Sequence, residues 1–399
     1  MKILLVSRRY PPHPARGSAF TVQRLAETLA QGGVEVVVIN TPDIPEMKTR
    51  WHNGVRIYDI PFPTVPSLRQ VRSENTAIAK NLMTRIHERR REVIGSIVEI
   101  IKSEAPTIVH TMTTSFPPAA IWKAAKQSGI PVVHTLQLHS LLCRKEQMFD
   151  KGRRCERPCC DACRQDTENS INATQWVDAV VGCSQFMTDR HLEFGLFKNA
   201  KIKTAIFNST PANPLAKRIR PPSEPLQIGF LGQISADKGV GWLVRQMARL
   251  PKRNWHLWLA GRGPRRNENI LTQRLKPLPA NHIGYQDAQK FLTHIDLLVV
   301  PSMWDEPFGL VAIESLAAGT PILVAERGGL TEIAEASGRA AETFDPAKPQ
   351  TFHQKMRQIL NASHRFRDPA LHAACRLTAE KFSPNRMAEE YLAVYRQLL

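Results

Sequence analysis

MKILLVSRRYPPHPARGSAFTVQRLAETLAQGGVEVVVIN, residues 1–40, decides the architecture. Ile3-Leu4-Leu5-Val6 is a continuous apolar run of strand length, followed by a loop carrying Pro11, Pro12 and Gly17. Val22, Leu25, Ala26 and Leu29 then recur at helical spacing, Gly32-Gly33 stops the helix, and Val36-Val37-Val38-Ile39 is a second run. A strand that is apolar on both faces needs cover on both sides, so this strand-helix-strand order predicts a parallel sheet between helices. Short runs at Ile108-Val109, Val132-Val133 and Ala179-Val180-Val181 extend that first α/β unit.

Working outward, Pro211, Pro214, Pro221, Pro222 and Pro225 crowd a segment poor in large apolar side chains, which reads as a linker. A second series follows at Ile228–Leu231, Leu257–Leu259, His282-Ile283, Leu297–Val300 and Ile322–Val324. Two doubly wound α/β domains are therefore expected, over residues 1–215 and 216–381, with 382–399 as a separate C-terminal helix. Met387, Tyr391, Val394, Tyr395 and Leu398 give that helix one apolar face that must dock.

The chain has 399 residues, 42% hydrophobic and 23% charged, a globular balance that excludes fibrous and disordered classes. No apolar run approaches the roughly 20 residues a spanning helix needs. The N-terminal apolar run is too short for a signal-peptide core, so the expected compartment is the cytoplasm. Lys and Arg number 54 against 36 Asp and Glu, net +18. Up to residue 220 the balance is 32 basic to 19 acidic, and beyond it 22 to 17, so the excess is N-terminal. Such a field favours anionic partners: nucleic acid, an anionic bilayer or a phosphorylated ligand.

The chemistry concentrates in Pro301-Ser-Met-Trp-Asp-Glu-Pro-Phe-Gly-Leu-Val-Ala-Ile-Glu314, which follows a buried strand. Pro307 and Gly309 predict a loop that exposes backbone amides, and a helix starting near Leu310 turns its positive end towards an anion. A diphosphate suits that end. Glu306 and Glu314 flank it at a spacing that spans two hydroxyl-bearing groups of an extended ligand. Taken alone, the two acids read as a helix cap and a surface glutamate.

The surrounding pattern changes that reading. P-S-x-W-x-E-P-F-G-L-V-x-x-E-x-L-A-x-G-x-P, then Gly328-Gly329-x-x-Glu332, resembles the donor-site signature of glycosyltransferase family 4, whose members have the GT-B fold. Gly17, Cys183-Ser184-Gln185-Phe186, Asn208, the Gly232-Gln233 to Lys238-Gly239 segment, Ala260-Gly261-x-Gly263-Pro264 and the ending from Phe382 extend the resemblance over nearly the whole chain. It implies two facing Rossmann-like domains, with a C-terminal helix crossing back to the first. The second domain would bind a nucleoside-diphosphate sugar, UDP- or GDP-linked, and the first the acceptor. No catalytic metal is implied.

By the same resemblance, Lys238 neutralises the donor phosphates, Glu314 accepts from the ribose, and Glu306 contacts hydroxyls of the donor sugar. Backbone amides around Phe308, Gly309 and Leu310 hold the distal phosphate, while Gly17, Gln233 and Gly263 line the donor site. Since Glu306 falls on a loop beside the ligand, Glu306→Ala is expected to abolish transfer and leave the fold intact.

Three departures matter. Gln233 stands where many members carry an Arg, so one positive charge is missing; Arg262 or Arg327 are candidates to replace it. The family often reads P-V-V-x-T-L-H-D-Y-x-x-L-C, and this chain reads Pro131-Val-Val-His-Thr-Leu-Gln-Leu-His-Ser-Leu-Leu-Cys143. Ungapped counting puts Gln137 at the family's active-site His, with His139 the alternative if the loop shifts. Asn208-Ser209 replaces a common Asn-Gly.

Five of seven cysteines fall between Cys143 and Cys163. Thiolates of Cys143, Cys155, Cys163 and either Cys159 or Cys160 have spacings close to a structural zinc site, and all-thiolate ligation also suits an iron-sulfur cluster. Free thiols are the plain alternative. The basic stretch from Arg69 to Lys102, with Arg85, Arg89, Arg90 and Arg91, reads either as a solvated helix face or as a contact for an anionic membrane surface.

The leading expectation is a retaining glycosyltransferase, cytoplasmic or peripheral on the inner face of the membrane, acting on a glycan or lipid-linked acceptor in cell-surface polysaccharide or glycolipid synthesis. A GT-B-fold sugar-nucleotide epimerase or phosphorylase is the enzyme alternative. A basic, zinc-containing nucleic-acid-binding protein is the alternative from another class, disfavoured because the basic residues are not interleaved with aromatics. No nucleic-acid partner is expected.

Overall fold

The computed structural model describes residues 1–12, 17–42, 44–62, 77–112, 118–158, 160–251 and 254–399, with side chains described at all of these except 18, 77–90 and 162. Among the described residues eight strands form the first sheet, in the order Ile202–Ala205, Ala179–Gly182, Val132–Leu136, Ile108–Thr111, Lys2–Ser7, Glu35–Asn40, Val55–Asp59, Lys48–His52. Neighbours run parallel except the last pair, joined by a tight turn at Asn53-Gly54. Leu4 lies opposite Val37 and Val109, in the register that puts Leu4, Val6 and Val37 on one face and Ile3, Leu5 and Val36 on the other. Both faces are buried, as the unbroken apolar runs require.

A second sheet, parallel throughout, has the order Ala280–His282, Trp255–Ala260, Leu226–Leu231, Leu297–Val300, Ile322–Ala325, Ala341–Phe344. Both sheets reverse their winding direction in the middle, beside Lys2–Ser7 in one and Leu226–Leu231 in the other. In doubly wound sheets the crevice beyond the carboxyl ends of such strands is where ligands sit. The loops carrying Gly17, Gln233, Lys238 and Glu306 all leave these strands or their neighbour Leu297–Val300. This is the GT-B arrangement, with two Rossmann-like units opposed.

The helix Pro384–Gln397 returns to the first sheet. It buries Met387, Tyr391, Val394 and Tyr395 against Val22, Leu25 and Leu29 of the helix Ser18–Gln31. Two tyrosine hydroxyls anchor it below the first sheet: Tyr391 meets Thr135 Oγ1 at 2.8 Å and Tyr395 meets His110 Nδ1 at 2.7 Å. Within the helix Ala77–Glu104, Val93, Ile97, Ile100 and Ile101 are buried while Arg91 is exposed; Arg69, Arg85, Arg89 and Arg90 lie outside the described side chains. No helix among the described residues is long and apolar enough to cross a membrane.

Several histidines are locked inside the first domain. His110 also meets Thr135 Oγ1 at 2.7 Å, and His134 meets Thr111 Oγ1 at 2.8 Å. Burial pulls the pKa of His110, His134 and His191 down to about 3 each. Below about pH 6.5 the unfolded chain takes up protons at these three positions, while the folded chain does not until near pH 3. Stability is therefore complete above that window and falls as pH drops through it, by up to about 1.4 kcal/mol per unit for each histidine. The melting temperature is expected to drop by several degrees between pH 7 and pH 5; a flat profile there contradicts neutral burial.

Candidate active site

The segment between the strand Leu297–Val300 and the helix Leu310–Ala317 is built around one carboxylate. Glu306, 9% exposed, accepts from Lys238 Nζ at 2.6 Å and 3.0 Å, from Ser302 Oγ at 2.9 Å and from Trp304 Nε1 at 2.8 Å. Lys238 also lies over the Trp304 ring, 4.8 Å from its centre. Lys238 arrives from the loop after Leu226–Leu231, and that approach depends on Gly239. With φ +72°, a Cβ at 239 would lie 1.8 Å from the Pro301 carbonyl oxygen. The two loops are thus pressed together by backbone contact, which only glycine permits.

Glu306 is therefore no loose loop residue. It sits on a loop, as expected, but not outside the core: it is a buried carboxylate holding three donors. Phe308 likewise turns inward, packing on Phe207 and Phe382 with ring centres 5.7 Å and 6.1 Å away. That leaves its backbone, together with Gly309 and Leu310, at the opening of the helix. Gly309 makes this turn with φ +116°, and a Cβ there would lie 2.4 Å from Leu330 Cδ2.

Glu314 stands in the second turn of that helix. Burial pushes its carboxyl up, and the Arg24 guanidinium of the helix Ser18–Gln31 acts against the shift. Arg24 itself donates to the Ser209 carbonyl oxygen. A first-domain cation and a second-domain carboxylate therefore act on one another between the two sheets.

Other anticipated positions are less close-knit. Gly17 opens the helix Ser18–Gln31 with φ 52° and is exposed, next to residues 13–16 outside the described set. Gln233 is exposed on the turn after its strand. The amide of Gly263 is taken by Glu268 Oε1 at 2.7 Å. Of the two cations suggested to replace the missing arginine, Arg327 is tied to Asp345 at 3.4 Å and to the Glu326 carbonyl, whereas Arg262 is exposed.

The loop after Val132–Leu136 separates its two candidates. Gln137 is paired through both ends of its amide with Asn208, at 2.9 Å and 3.0 Å. His139 lies against the loop that carries Trp304, Asp305 and Glu306 instead. Its Nε2 is 3.2 Å from the Asp305 carbonyl oxygen, and Trp304 and Phe186 flank the ring edge-on. Its Nδ1 is buried without a hydrogen-bond partner among the described residues. Burial lowers its pKa, opposed by Asp305, so the imidazole is neutral at pH 7.

In the cysteine loop Cys143 and Cys163 are buried and Cys160 is exposed. Burial, with Cys160 and Cys143 beside it, pushes the Cys163 thiol up to about 12. Among the described residues no group of three His, Cys, Asp or Glu is placed to hold a metal ion; Cys159 lies outside them. The small hairpin Phe149–Asp150 and Arg153–Arg154 in this loop sends Arg154 to Asp305 Oδ1, 3.3 Å away. Ser302, Trp304, Asp305 and Arg154 were not singled out from the sequence, although the first three stand inside the motif quoted for Glu306.

Residues 16–204 match the family model described as a glycosyl transferase 4-like domain, and 225–362 the model for glycosyl transferases group 1. The chain is a family 4 glycosyltransferase. A Klebsiella pneumoniae protein, described as an uncharacterized 42.6 kDa protein in the cps region, is 28% identical over 343 residues, covering 84% of this chain and 87% of that protein. Among solved structures, sucrose-phosphate synthase from Thermosynechococcus elongatus superimposes with a TM-score of 0.72 at 22% identity, covering 100% and 98% of the two chains. Anabaena HepE in complex with UDP-glucose gives 0.70 at 15% identity, covering 100% of both. These likenesses show that the glycosyltransferase has the GT-B fold.

Proposed function

We propose that this glycosyltransferase is a retaining enzyme that moves the sugar of a nucleoside-diphosphate sugar, UDP- or GDP-linked, onto a glycan or lipid-linked acceptor of cell-surface polysaccharide or glycolipid synthesis. The observation that carries this reading is the Lys238–Glu306 pair, set beyond the carboxyl ends of the strands where the two sheets face each other. In the structure the two charges satisfy one another. A donor would part them: the ammonium takes the diphosphate and the carboxylate takes the sugar hydroxyls.

The physics of the reaction fits that exchange. As the bond to the sugar breaks, negative charge grows on the departing diphosphate, where Lys238 and the amides opening the helix Leu310–Ala317 stabilise it. Glu314 accepts from the ribose, and those hydrogen bonds favour its charged form, against the burial that raises its carboxyl. HepE, which shares the fold, holds UDP-glucose, and that supports a nucleotide-sugar donor here. The excess of positive charge in the first part of the chain suits an acceptor on an anionic membrane surface. The test of retention is the anomeric proton of the product by NMR. An α-linked donor should give an α product; a β product overturns the assignment.

His139 is assigned the role of contacting the donor sugar from the first domain, because its ring lies against Trp304 and Asp305 while both ends of the Gln137 amide are engaged by Asn208. His139→Ala is expected to lower turnover by about 100-fold, a typical cost for one positioned catalytic contact. Gln137→Ala should act mainly on stability, since it strands a buried Asn208 amide at about 1–3 kcal/mol. Because burial holds His139 below the ordinary pKa, the rate should show no inflection near pH 6.5. A severe Gln137→Ala defect in a stable protein, with a mild His139→Ala, reverses the assignment.

A further inference from the structure

The two domains meet at a second point beside the donor loop, and one glutamate joins them. The strand Ala179–Gly182 ends in Cys183-Ser184, and Ser184 caps the helix Gln185–Glu193 by accepting from Met187 N at 3.2 Å. The first amides of a helix have no partner inside it. Here Gln185 N and Phe186 N donate to Glu332 Oε2 and Oε1, at 2.8 Å and 2.7 Å. Glu332 belongs to the opposite domain, in the first turn of the helix Gly329–Ser337. A carboxylate that takes two amides at the positive end of a helix makes a charge-assisted, two-pronged contact.

Both sides of this seam are bonded to the donor loop. Ser184 Oγ donates to the Pro307 carbonyl oxygen at 2.6 Å, and the Cys183 thiol points to the same oxygen at 3.4 Å. Gly329 N donates to the carbonyl oxygen of Glu306 at 2.8 Å. A Cβ on Gly329 would come within 3.0 Å of Ser184 Cβ, so the fit leaves no room for a side chain. The turn from Glu306 to Gly309 is thus held from one side by the acceptor domain and from the other by the helix that carries Glu332.

We propose that Glu332 is a positioning residue of the transfer reaction: by capping the helix Gln185–Glu193 across the interdomain seam, it sets the Glu306–Gly309 turn against the acceptor domain. It touches neither reacting sugar. The proposal rests on the donor-site reading above, and it separates binding from turnover. Donor groups held by the second domain alone should bind as before when the cap is lost, while the alignment between donor and acceptor walls degrades.

The test uses the full chain with Glu332→Ala and Glu332→Gln, and UDP-glucose, GDP-mannose and ADP-glucose as probes. Hydrolysis of the donor serves as the turnover readout, and titration with the free nucleoside diphosphates as the binding readout. Glu332→Ala should lower kcat by about 10- to 100-fold, the scale of a misplacement of about 1 Å, with diphosphate Kd changed less than about threefold. Glu332→Gln keeps one acceptor oxygen and should fall between wild type and Glu332→Ala. Hydrogen exchange at Gln185 and Phe186 should quicken in the order wild type, Gln, Ala. An unchanged kcat in Glu332→Ala overturns the proposal, as does a kcat loss matched by an equal loss of diphosphate affinity. A wild-type protein that binds none of the probes overturns the donor-site reading itself; binding by wild type with an unaffected variant overturns this proposal alone.

Discussion

Glu306→Gln is expected to leave the fold standing and to lower sugar transfer by about 100- to 1000-fold, the range seen when one charge-stabilising contact is removed from a transition state. The amide matches the carboxylate in size, and its oxygen still accepts from Ser302 or Trp304. It has no negative charge for Lys238 or for the sugar hydroxyls. Glu306→Ala is the harsher and less informative change. It strands the Lys238 ammonium, the Trp304 N–H and the Ser302 hydroxyl in a half-buried space, each at a cost of about 1–3 kcal/mol. Rates and melting temperatures of both variants separate the effects. Turnover unchanged in Glu306→Gln would remove this carboxylate from the reaction.

Lys238→Ala is expected to act chiefly on the diphosphate, and it also removes the cation paired with Glu306. The ammonium is the charged group assigned to the leaving nucleotide because it is held at the entrance of the helix Leu310–Ala317 by its pair with Glu306, whereas Gln233 carries no charge, Arg327 is tied to Asp345 and Arg262 is exposed. Loss of Lys238 should weaken nucleoside-diphosphate binding by about tenfold and kcat by about 100-fold, because the charge it faces grows in the transition state. Lys238→Arg keeps the charge and should recover part of the rate. Binding of the bare nucleoside should be unchanged in both variants. An equal loss of nucleoside and diphosphate affinity contradicts a phosphate role.

Much of this was legible in the chain. Each run read as a strand, from Ile3–Val6 to Ile322–Val324, lies in or overlaps one, because a short apolar run closed by turn residues suits a buried strand better than a helix of about ten or more residues. The turn at Pro307-Gly309 and the helix from Leu310 also stand where the motif predicts. The basic edge strand Lys48–His52 was not anticipated. Its residues are exposed or half-buried, so no hydrophobic signal marks it, and its partner Val55–Asp59 supplies the register. Ile202–Ala205, the other edge, is short and half-exposed for the same reason.

The site shows where one-dimensional reading ends. Spacing brought Glu306 and Glu314 to one helix entrance, but the side chains that complete the site come from distant parts of the chain. Lys238 reaches Glu306 across 68 residues, Asn208 reaches Gln137 across 71, and Glu332 reaches Gln185 across 147. The ungapped count that favoured Gln137 compared positions along the chain. It carried no information about which side chain Asn208 would engage, and in the structure Asn208 pairs with Gln137 while His139 meets Asp305.

One measurement tests the central claim most directly: a thermal-shift screen of the wild-type protein and Lys238→Ala with UDP-, GDP- and ADP-sugars. A ligand that binds the folded state at 100 times its dissociation constant adds about 2.7 kcal/mol of stability. The account predicts that one nucleotide class raises the melting temperature of the wild type and that Lys238→Ala loses most of that rise. No shift with any nucleotide sugar, or an equal shift in Lys238→Ala, contradicts it.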